Sequence, residues 1–189
     1  MAKYELTQKQ YAALIGKNPS KFKGENLPVT NVSWYDAVAF CQNLGESTYI
    51  KGNIPFGYRY KLPTETQWEY ACRAGTTTAF HFGATLQKGQ ANFNKHVNKT
   101  QPVGSYPANQ WGLHDMHGNV WEYCADLYCA YPSGRVVDPA GPSTDSNRVI
   151  RGGSWNNFGM RCRSAYRHET TTRSRLNGSL GLRLSLRPE

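Results

Sequence analysis

Residues 112–123 read Gly-Leu-His-Asp-Met-His-Gly-Asn-Val-Trp-Glu-Tyr, a tight turn running into a short apolar stretch. The Gly-Asn pair predicts the turn, and residues 120–123 predict a strand. Side chains alternate between the two faces of a strand, so Trp121 and Tyr123 should lie opposite Glu122. A glutamate that is buried needs a partner that neutralises it. We therefore expect Glu122 to have a specific partner inside the fold.

Three segments upstream of this stretch have residues that are typical of the start and the end of a short helix. Each has a hydroxyl residue, an acid or amide three places later, and a glycine at the far end. The predicted helices begin after Thr7, Ser33 and Thr64 and end at Gly16, Gly45 and Gly75. Beyond Gly75, short apolar pairs separated by Gly, Pro and Asn predict ordered loops and short strands, the strand candidates being 120–123, 149–151 and 180–186.

The composition indicates one globular domain over residues 1–189. Hydrophobic residues make up 39% of the chain, and 12 Tyr, 7 Phe and 5 Trp accompany 18 Gly. No apolar run approaches the roughly 20 residues that cross a bilayer, so membrane insertion is not expected. No signal-peptide core follows Met1, and the composition does not indicate a compartment. Five cysteines are too few for a disulfide scaffold, so packed thiols are expected.

The formal net charge of +9 is concentrated near the C-terminus. Residues 148–187 contain nine Arg, no Lys and one acid, Glu169, which leaves a formal +8 in this stretch. Such a basic stretch is compatible with nucleic-acid binding. Arginine without lysine is more typical of fixed, planar hydrogen bonding inside a fold. Nucleic acid is therefore not the expected partner.

Several strings together resemble one family. They are Pro-Val-Thr-Asn-Val-Ser-Trp at 28–34, Leu-Pro-Thr-Glu at 62–65 with Trp-Glu-Tyr-Ala-Cys-Arg-Ala-Gly at 68–75, the stretch 112–123, Arg-Val-Ile-Arg-Gly-Gly-Ser-Trp at 148–155, and Gly-Leu-Arg at 181–183. In this order they resemble the formylglycine-generating enzyme, or sulfatase-modifying factor, superfamily over almost the whole chain. The resemblance implies an α+β fold of the C-type lectin-like kind, with little regular secondary structure.

The resemblance also implies a calcium site in the quoted stretch, through Glu122 and the carbonyl groups of His117, Gly118 and Val120, since calcium prefers oxygen ligands. Calcium is thus a candidate cofactor. An ion pair between Glu122 and an arginine is the alternative. The family's other calcium site is degraded here, because Asn94-Lys95-His96 replaces its acidic loop. A zinc site built from His114, His117, Cys124 and Cys129 is disfavoured, because their spacing matches no known zinc pattern.

The family's oxidation chemistry depends on copper held by two thiolates separated by four residues, just after the Gly-Gly-Ser-aromatic turn. Soft thiolates suit Cu(I), and amides cannot replace them. After Trp155 this chain offers only Cys162, and Asn157 stands five places before it. Copper is therefore not expected, and neither is catalysis. Cys162 is expected to be a packed thiol.

Residues 156–179 are polar and aromatic, without an apolar period. This composition suits adaptable contact surfaces. The arrangement resembles the variable proteins of diversity-generating retroelements, a branch of the same superfamily in which this segment is rewritten and binds ligands. The resemblance implies contact residues over this segment, with Phe158 and Tyr166 as aromatic anchors, namely Asn157, Phe158, Met160, Arg161, Tyr166, His168, Thr170, Thr171, Arg173, Ser174, Leu176, Asn177 and Ser179.

Three functions remain open. The first is a non-catalytic protein that binds a protein or cell-surface ligand through this segment, with a monomer expected. The second is a formylglycine-generating or related cysteine-oxidising enzyme with relocated metal ligands. The third is a structural or regulatory interaction domain of a larger assembly.

Overall fold

The computed structural model describes residues 1–50, 54–131 and 147–188. Three α-helices and six strands make up its longer regular elements. In chain order they are α1 (Gln8–Ile15), α2 (Trp34–Ile50), β1 (Tyr58–Lys61), α3 (Glu65–Arg73), β2 (Trp121–Leu127), β3 (Arg148–Arg151), β4 (Arg167–Thr170), β5 (Leu180–Gly181) and β6 (Ser185–Pro188). Short 3₁₀ helices lie at Gly159–Cys162 and Leu176–Gly178. The α+β prediction is confirmed.

The helix caps follow the sequence prediction closely. The side-chain hydroxyls of Thr7, Ser33 and Thr64 each accept the backbone N–H three places later. Their own backbone N–H groups donate in return to the side chains of Gln10, Asp36 and Gln67. Gly16 ends α1 in the left-handed conformation, with φ 77°. Each capping box satisfies N–H groups that a helix start leaves free.

The predicted end of α2 at Gly45 is wrong, because the helix continues to Ile50. A glycine ends a helix when it adopts a positive φ, and Gly45 does not. At α3 the left-handed position is taken by Ala74, one residue before the predicted glycine. A glycine near a helix end is therefore a less reliable stop signal than a capping box is a start signal.

The strands form two small sheets. In the larger sheet the order is β4-β3-β2-β5, with β2 antiparallel to β3 and parallel to β5. The smaller sheet pairs β1 with β6. The single strand predicted over 180–186 is therefore two strands in different sheets. The chain leaves one sheet for the other around Arg183, whose side chain is directed into the interior.

Three apolar clusters support this frame. The largest joins α1 and α2 to β2, β3 and β5, and Phe40, Tyr123, Ile150 and Leu180 are all but inaccessible in it. A second surrounds Trp68 of α3. Between residues 75 and 120 the described chain contains no helix or strand, and an isolated bridge pairs Phe80 with Gly83. The composition of this region, rich in Gly, Pro and Asn, predicted ordered loops here.

Candidate functional site

The segment 156–179 is closed at its base by a hydrogen bond between its two ends. The indole N–H of Trp155 donates to the carbonyl of Gly178 over 2.9 Å. The backbone N–H of Trp155 donates to Asn119, so the Gly-Gly-Ser-Trp turn is attached to the turn before β2. The segment is therefore a long excursion whose start and finish are held at one point.

The backbone of the segment is held by donors from elsewhere in the fold. Outside the β3–β4 ladder, seven of its carbonyl groups accept hydrogen bonds from residues beyond its limits. These pairs are the N–H of Asn94 with Asn157 (2.7 Å), Nδ1 of His117 with Cys162 (2.7 Å), the guanidinium of Arg151 with Tyr166, the N–H of Trp34 with Thr172 (3.1 Å), the hydroxyl of Tyr123 with Ser174 (2.8 Å), the indole of Trp155 with Gly178 (2.9 Å), and the N–H of Trp121 with Ser179 (2.9 Å). We call these the carbonyl anchors. They depend on main-chain atoms that every residue type supplies.

Most of the predicted contact residues project from this anchored backbone into solvent. Phe158 is 68% exposed and Met160 is 64% exposed, although both are large apolar side chains. The exposed members of the predicted set are Phe158, Met160, Arg161, Thr171, Arg173, Leu176 and Asn177. We call these seven the outward side chains. Asn157, Tyr166, His168 and Ser174 are half-buried.

Thr170 and Ser179, which were predicted to contact a ligand, belong to the interior. Thr170 is 7% exposed and pairs with Arg148 across the β3–β4 ladder. Ser179 is 8% exposed and lies at the anchored end of the segment. The prediction treated 156–179 as one loop, whereas residues 167–170 form strand β4, whose pairing buries alternate positions.

Tyr166 and His168 lie over Trp121 rather than free in solvent. The ring centroids are 6.1 Å apart for Tyr166 and Trp121 and 5.7 Å apart for His168 and Trp121. Burial lowers the pKa of His168, and the positive charge of Arg161 lowers it further. Tyr166 also packs against the largest apolar cluster. The ring of Tyr166 is therefore half-covered by the fold, and its role as a contact anchor stays a prediction.

Two arginines of this region, the buried Arg151 and the half-buried Arg167, bind acids from α3. Arg151 is fully buried, with its Nε 3.3 Å from Oε1 of Glu65 and a further bond to Glu69. Arg167 binds Glu65 through two nitrogens, at 2.7 and 2.8 Å, and its guanidinium stacks 4.1 Å from the centre of the Tyr131 ring. These arginines join β3 and β4 to α3. The interpretation of arginine as an internal hydrogen-bonding group applies to them.

Other arginines remain on the surface. Arg161, Arg163 and Arg173 are exposed and have no acidic partner among the residues described. The side chain of Arg163 donates to the nearby carbonyl of Met160 over 3.0 Å. Lys95 lies in the same region, because its N–H donates to the carbonyl of Trp155 over 2.7 Å. Neither residue was among the predicted contacts, although the Asn-Lys-His string at 94–96 signalled a basic loop.

Glu122 is paired with an arginine, the alternative that the sequence left open. Its carboxylate receives three short contacts from Arg183, at 2.8 to 3.1 Å, and a fourth from the indole of Trp68, at 2.7 Å. Both oxygens are thus already used by cationic or N–H donors. A guanidinium at this distance would also repel a divalent cation. The residues present therefore do not fit a calcium site built on Glu122, His117, Gly118 and Val120.

Cys162 is a packed thiol, as predicted. Its side chain is inaccessible, and burial raises its pKa to about 12. The amide oxygen of Asn157, five places earlier, accepts a hydrogen bond from the hydroxyl of Ser154 over 2.6 Å. A neutral thiol and a bonded amide are poor ligands for Cu(I), which binds thiolates.

His117 is a buried connector whose protonation state is fixed by its partners. Nδ1 lies 2.7 Å from the carbonyl of Cys162, so it must carry the hydrogen. Nε2 then accepts the backbone N–H of His81 over 3.1 Å. Burial and the neighbouring His81 ring lower the pKa of His117 to about 3. His114 instead contacts the carbonyl of Tyr106, so the two histidines of the disfavoured zinc set have separate roles.

Nothing in the described part of the chain groups three or more His, Cys, Asp or Glu side chains in an arrangement that could hold a metal ion. In the same residues, no helix is long and apolar enough to span a membrane.

Residues 1–187 match the family described as the sulfatase-modifying factor enzyme 1-like domain. The formylglycine-generating enzyme of Streptomyces coelicolor is 37% identical over 179 residues, covering 84% of this chain and 52% of that enzyme. The chain spans about half the length of the curated formylglycine-generating enzymes that it matches. Family membership follows from the near-complete match.

Solved structures place the same fold in proteins of another kind. Treponema denticola variable protein 1 superimposes with a TM-score of 0.84 at 29% identity, covering 98% of this chain and 82% of that one. The I1 variant of a major tropism determinant has a TM-score of 0.54 at 14% identity, covering 98% and 49%, which supports the fold alone. The chain belongs to the sulfatase-modifying factor family, and the resemblance inferred from its motifs, including that to variable proteins, is confirmed.

Proposed function

We propose that this chain is a non-catalytic ligand-binding protein that presents residues 156–179 as its recognition surface. The observation that carries the proposal is the division within the segment between anchored carbonyl groups and outward side chains. A main-chain carbonyl group can keep its hydrogen bond when a side chain of the segment is replaced. The outward residues can therefore differ between proteins while the backbone of the segment keeps its conformation. A surface of this kind is suited to diversification, and the similarity to a variable protein supports that use.

Charge and exposed apolar area favour a protein partner with an acidic surface. Arg161 and Arg173 are exposed in the same segment as Phe158 and Met160, and Glu169 is the single acid in that segment. Aromatic, Met and Arg side chains are enriched where proteins bind one another. A purely anionic polymer would neutralise the arginines but leave Phe158 and Met160 exposed to water. An acidic protein surface with an apolar centre uses both features.

A display library tests this function directly. The seven outward positions are randomised together, and clones are scored for protease resistance and then selected on an acidic protein bait, calmodulin. We expect most clones to fold and some to bind, with binding lost on reversion of the selected positions. A matched library that randomises Trp34, Tyr123 and Trp155 should yield few folded clones. If both libraries unfold equally, the segment is structural and the proposal fails.

Retroelement diversification is a further part of the proposal. It predicts a reverse transcriptase gene near this one, with a near-copy of the codons for residues 150–185 that differs mainly at adenines. If no such copy lies near the gene, the proposal of diversification is wrong, and the recognition surface is fixed.

The membership of formylglycine-generating enzymes in this family favours catalysis as the second candidate. Against it stand Cys162, which is buried and is the only cysteine after Trp155 in the sequence, and the hydrogen-bonded amide of Asn157. Copper(I) titration of the wild type and of Cys162→Ser distinguishes the two functions. A non-catalytic protein should show no tight copper site in either form and no turnover of a cysteine-containing peptide. Tight copper binding that is lost in Cys162→Ser would support the enzyme.

A further inference from the structure

A pocket lined by two exposed aromatic rings lies where α3 faces the turn at residues 109–113. Its volume is about 340 Å³, within the range of roughly 300 to 1,000 Å³ that is usual for ligand pockets. No residue of the segment 156–179 lines it, and none of the functions discussed above uses it. The described lining residues are Gln67, Tyr70 and Ala71 of α3, Trp111 and Leu113 of the turn, Ser185 of β6, and Met1.

Tyr70 and Trp111 form the aromatic wall of this pocket. Tyr70 is 68% exposed and Trp111 is 49% exposed. Their ring centroids are 4.9 Å apart, with 61° between the ring planes. Large apolar rings that meet at the surface are typical of binding sites, where they supply contact area. The pair therefore offers a ligand ring surface that the fold itself does not cover.

The side chain of Asn109 holds the turn that carries Trp111. Its Oδ1 accepts the backbone N–H groups of Trp111 and Leu113 over 3.0 and 3.1 Å. Its Nδ2 donates to the carbonyl group of Ala71 in α3 over 2.7 Å. The backbone of the turn is thus attached to the helix that carries Tyr70, and this arrangement exists before a ligand binds. A preformed wall lowers the entropy cost of binding.

The lining side chains are uncharged, and their free polar atoms are mainly hydrogen-bond donors. Oε1 of Gln67 already accepts the N–H of Thr64 over 3.1 Å, which leaves the amide NH2 group of Gln67 for a ligand. Ser185 is 7% exposed, and its hydroxyl has no partner among the residues described. Neither this hydroxyl nor the Gln67 NH2 group is sealed from solvent. The indole N–H of Trp111 is a further donor, since an indole cannot accept.

A proline-rich peptide matches this combination of aromatic rings and neutral donors. The polyproline II conformation has no internal hydrogen bonds, and proline has a carbonyl group but no N–H, so the peptide presents unpaired acceptors. Docking of such peptides into aromatic-lined grooves is a recurrent binding mode. A saccharide donates as well as accepts through its hydroxyl groups, so it uses a set of donors less completely. A charged ligand finds no opposite charge on the described lining side chains.

We propose that this pocket binds a proline-rich peptide in the polyproline II conformation, with proline rings packed against Tyr70 and Trp111. Carbonyl groups of the peptide accept hydrogen bonds from Gln67 and Ser185. The site is separate from the outward side chains, so either site can fail its test while the other passes.

The test uses the full chain and fluorescein-labelled decaproline, whose fluorescence anisotropy rises on binding. We expect saturable binding with a Kd below about 1 mM, reversed by unlabelled decaproline. A labelled decapeptide of alternating Gly and Ser lacks both the rings and the preformed conformation, and should bind at least about tenfold more weakly. Cellohexaose, a neutral saccharide, should not displace the probe.

Three results would overturn the proposal. They are absence of saturable decaproline binding, equal binding of the Gly-Ser peptide, and displacement by cellohexaose as effective as that by unlabelled decaproline.

Two variants locate the site. Tyr70→Ala and Trp111→Ala should each weaken decaproline binding at least about tenfold, since truncation of a central aromatic contact costs that factor or more. Tyr35→Ala is the matched control, because it also removes an exposed ring that packs edge-on against a tryptophan, and it should leave binding unchanged. Thermal unfolding shows whether each variant is folded. Wild-type binding in folded Tyr70→Ala would place the peptide elsewhere and overturn the proposal.

Ser185→Ala tests the hydrogen bond inside the pocket. The change removes one hydroxyl and keeps the rings, so decaproline binding should weaken about fivefold with little change in the thermal transition. Binding as tight as that of the wild type would contradict the role of Ser185 as a donor to the peptide.

Discussion

The carbonyl anchors and the outward side chains belong to the same segment of 24 residues. The anchors bind the rest of the fold, whereas the outward side chains are exposed to solvent. Anchored positions are defined by what the rest of the fold donates, such as the indole of Trp155 or the hydroxyl of Tyr123. Outward positions are those whose side chains are exposed in the described part of the chain. Arginine shows the difference clearly, because Arg151 is buried against Glu65 and Glu69, whereas Arg173 is exposed. Arg151 and Arg167 find their acidic partners on α3, and Arg183 finds Glu122 on β2, so the position of an acid in the fold distinguishes these arginines from Arg173.

The largest expected effect comes from breaking a buried pair of the framework. Arg183→Leu leaves the carboxylate of Glu122 buried beside Trp68 without its cation, and we expect the free energy of unfolding to fall by about 3 to 5 kcal/mol. Urea denaturation measures this directly. Arg173→Leu is the matched control and should change stability by less than about 0.5 kcal/mol. Similar losses in both variants would show that buried and exposed arginines do not differ as described.

The second prediction concerns pH and the anchor at Cys162. The pKa of His117 is lowered to about 3 in the fold, against an unfolded value near 6.5. The unfolded chain therefore binds more protons between these values. His117 should stabilise the fold fully above about pH 6.5 and lose about 1.4 kcal/mol per pH unit as the pH falls through this window.

His117→Gln tests this dependence because glutamine does not titrate there. The slope of unfolding free energy against pH, between pH 6 and pH 4, should be shallower in the variant than in the wild type. Identical slopes would show that protonation of His117 is not resisted by its burial and by the N–H of His81 that its Nε2 accepts.

A single side-chain anchor should have a smaller and more local effect. Tyr123→Phe removes the hydroxyl that donates to Ser174 over 2.8 Å, and we expect a loss of about 1 to 2 kcal/mol. Amide hydrogen exchange should accelerate at residues 171–176, with less change in α1. Tyr35→Phe, on an exposed ring, is the control and should leave both quantities unchanged. Equal effects of the two substitutions would contradict the anchoring role.

The smallest expected effect is that of calcium removal. Because Arg183 and Trp68 already occupy the oxygens of Glu122, EDTA should leave the thermal unfolding temperature unchanged. A rise in that temperature with added calcium, lost in Glu122→Gln, would restore the calcium site to this position.

The sequence predicted the local features that depend on neighbouring residues. The three capping boxes, the strand after Gly118-Asn119 and the packed thiol at Cys162 all follow from side chains within a few positions. The family and the fold followed from ordered motifs. The limits of the candidate segment could also be set, since the Gly-Gly-Ser-Trp turn and the Gly-Leu-Arg string flank it.

Features that depend on long-range pairing were not predictable. Strand β4 has no period of its own and exists because β3 offers an edge, so Thr170 could not be recognised as buried. The choice between calcium and arginine at Glu122 required the position of Arg183, 61 residues away. The split of 180–186 into two strands likewise depends on partners in different sheets. Sequence patterns do not carry this information without the fold.

The most direct test of the central claim is the stability of one heavily substituted protein. All seven outward side chains, Phe158, Met160, Arg161, Thr171, Arg173, Leu176 and Asn177, are replaced by serine together, and urea unfolding is compared with that of Trp155→Phe. Surface changes cost little each, so we predict a loss below about 1.5 kcal/mol for the sevenfold variant and a comparable or larger loss for the single anchor variant. A loss above about 3 kcal/mol in the sevenfold variant, with Trp155→Phe near wild type, would contradict the account.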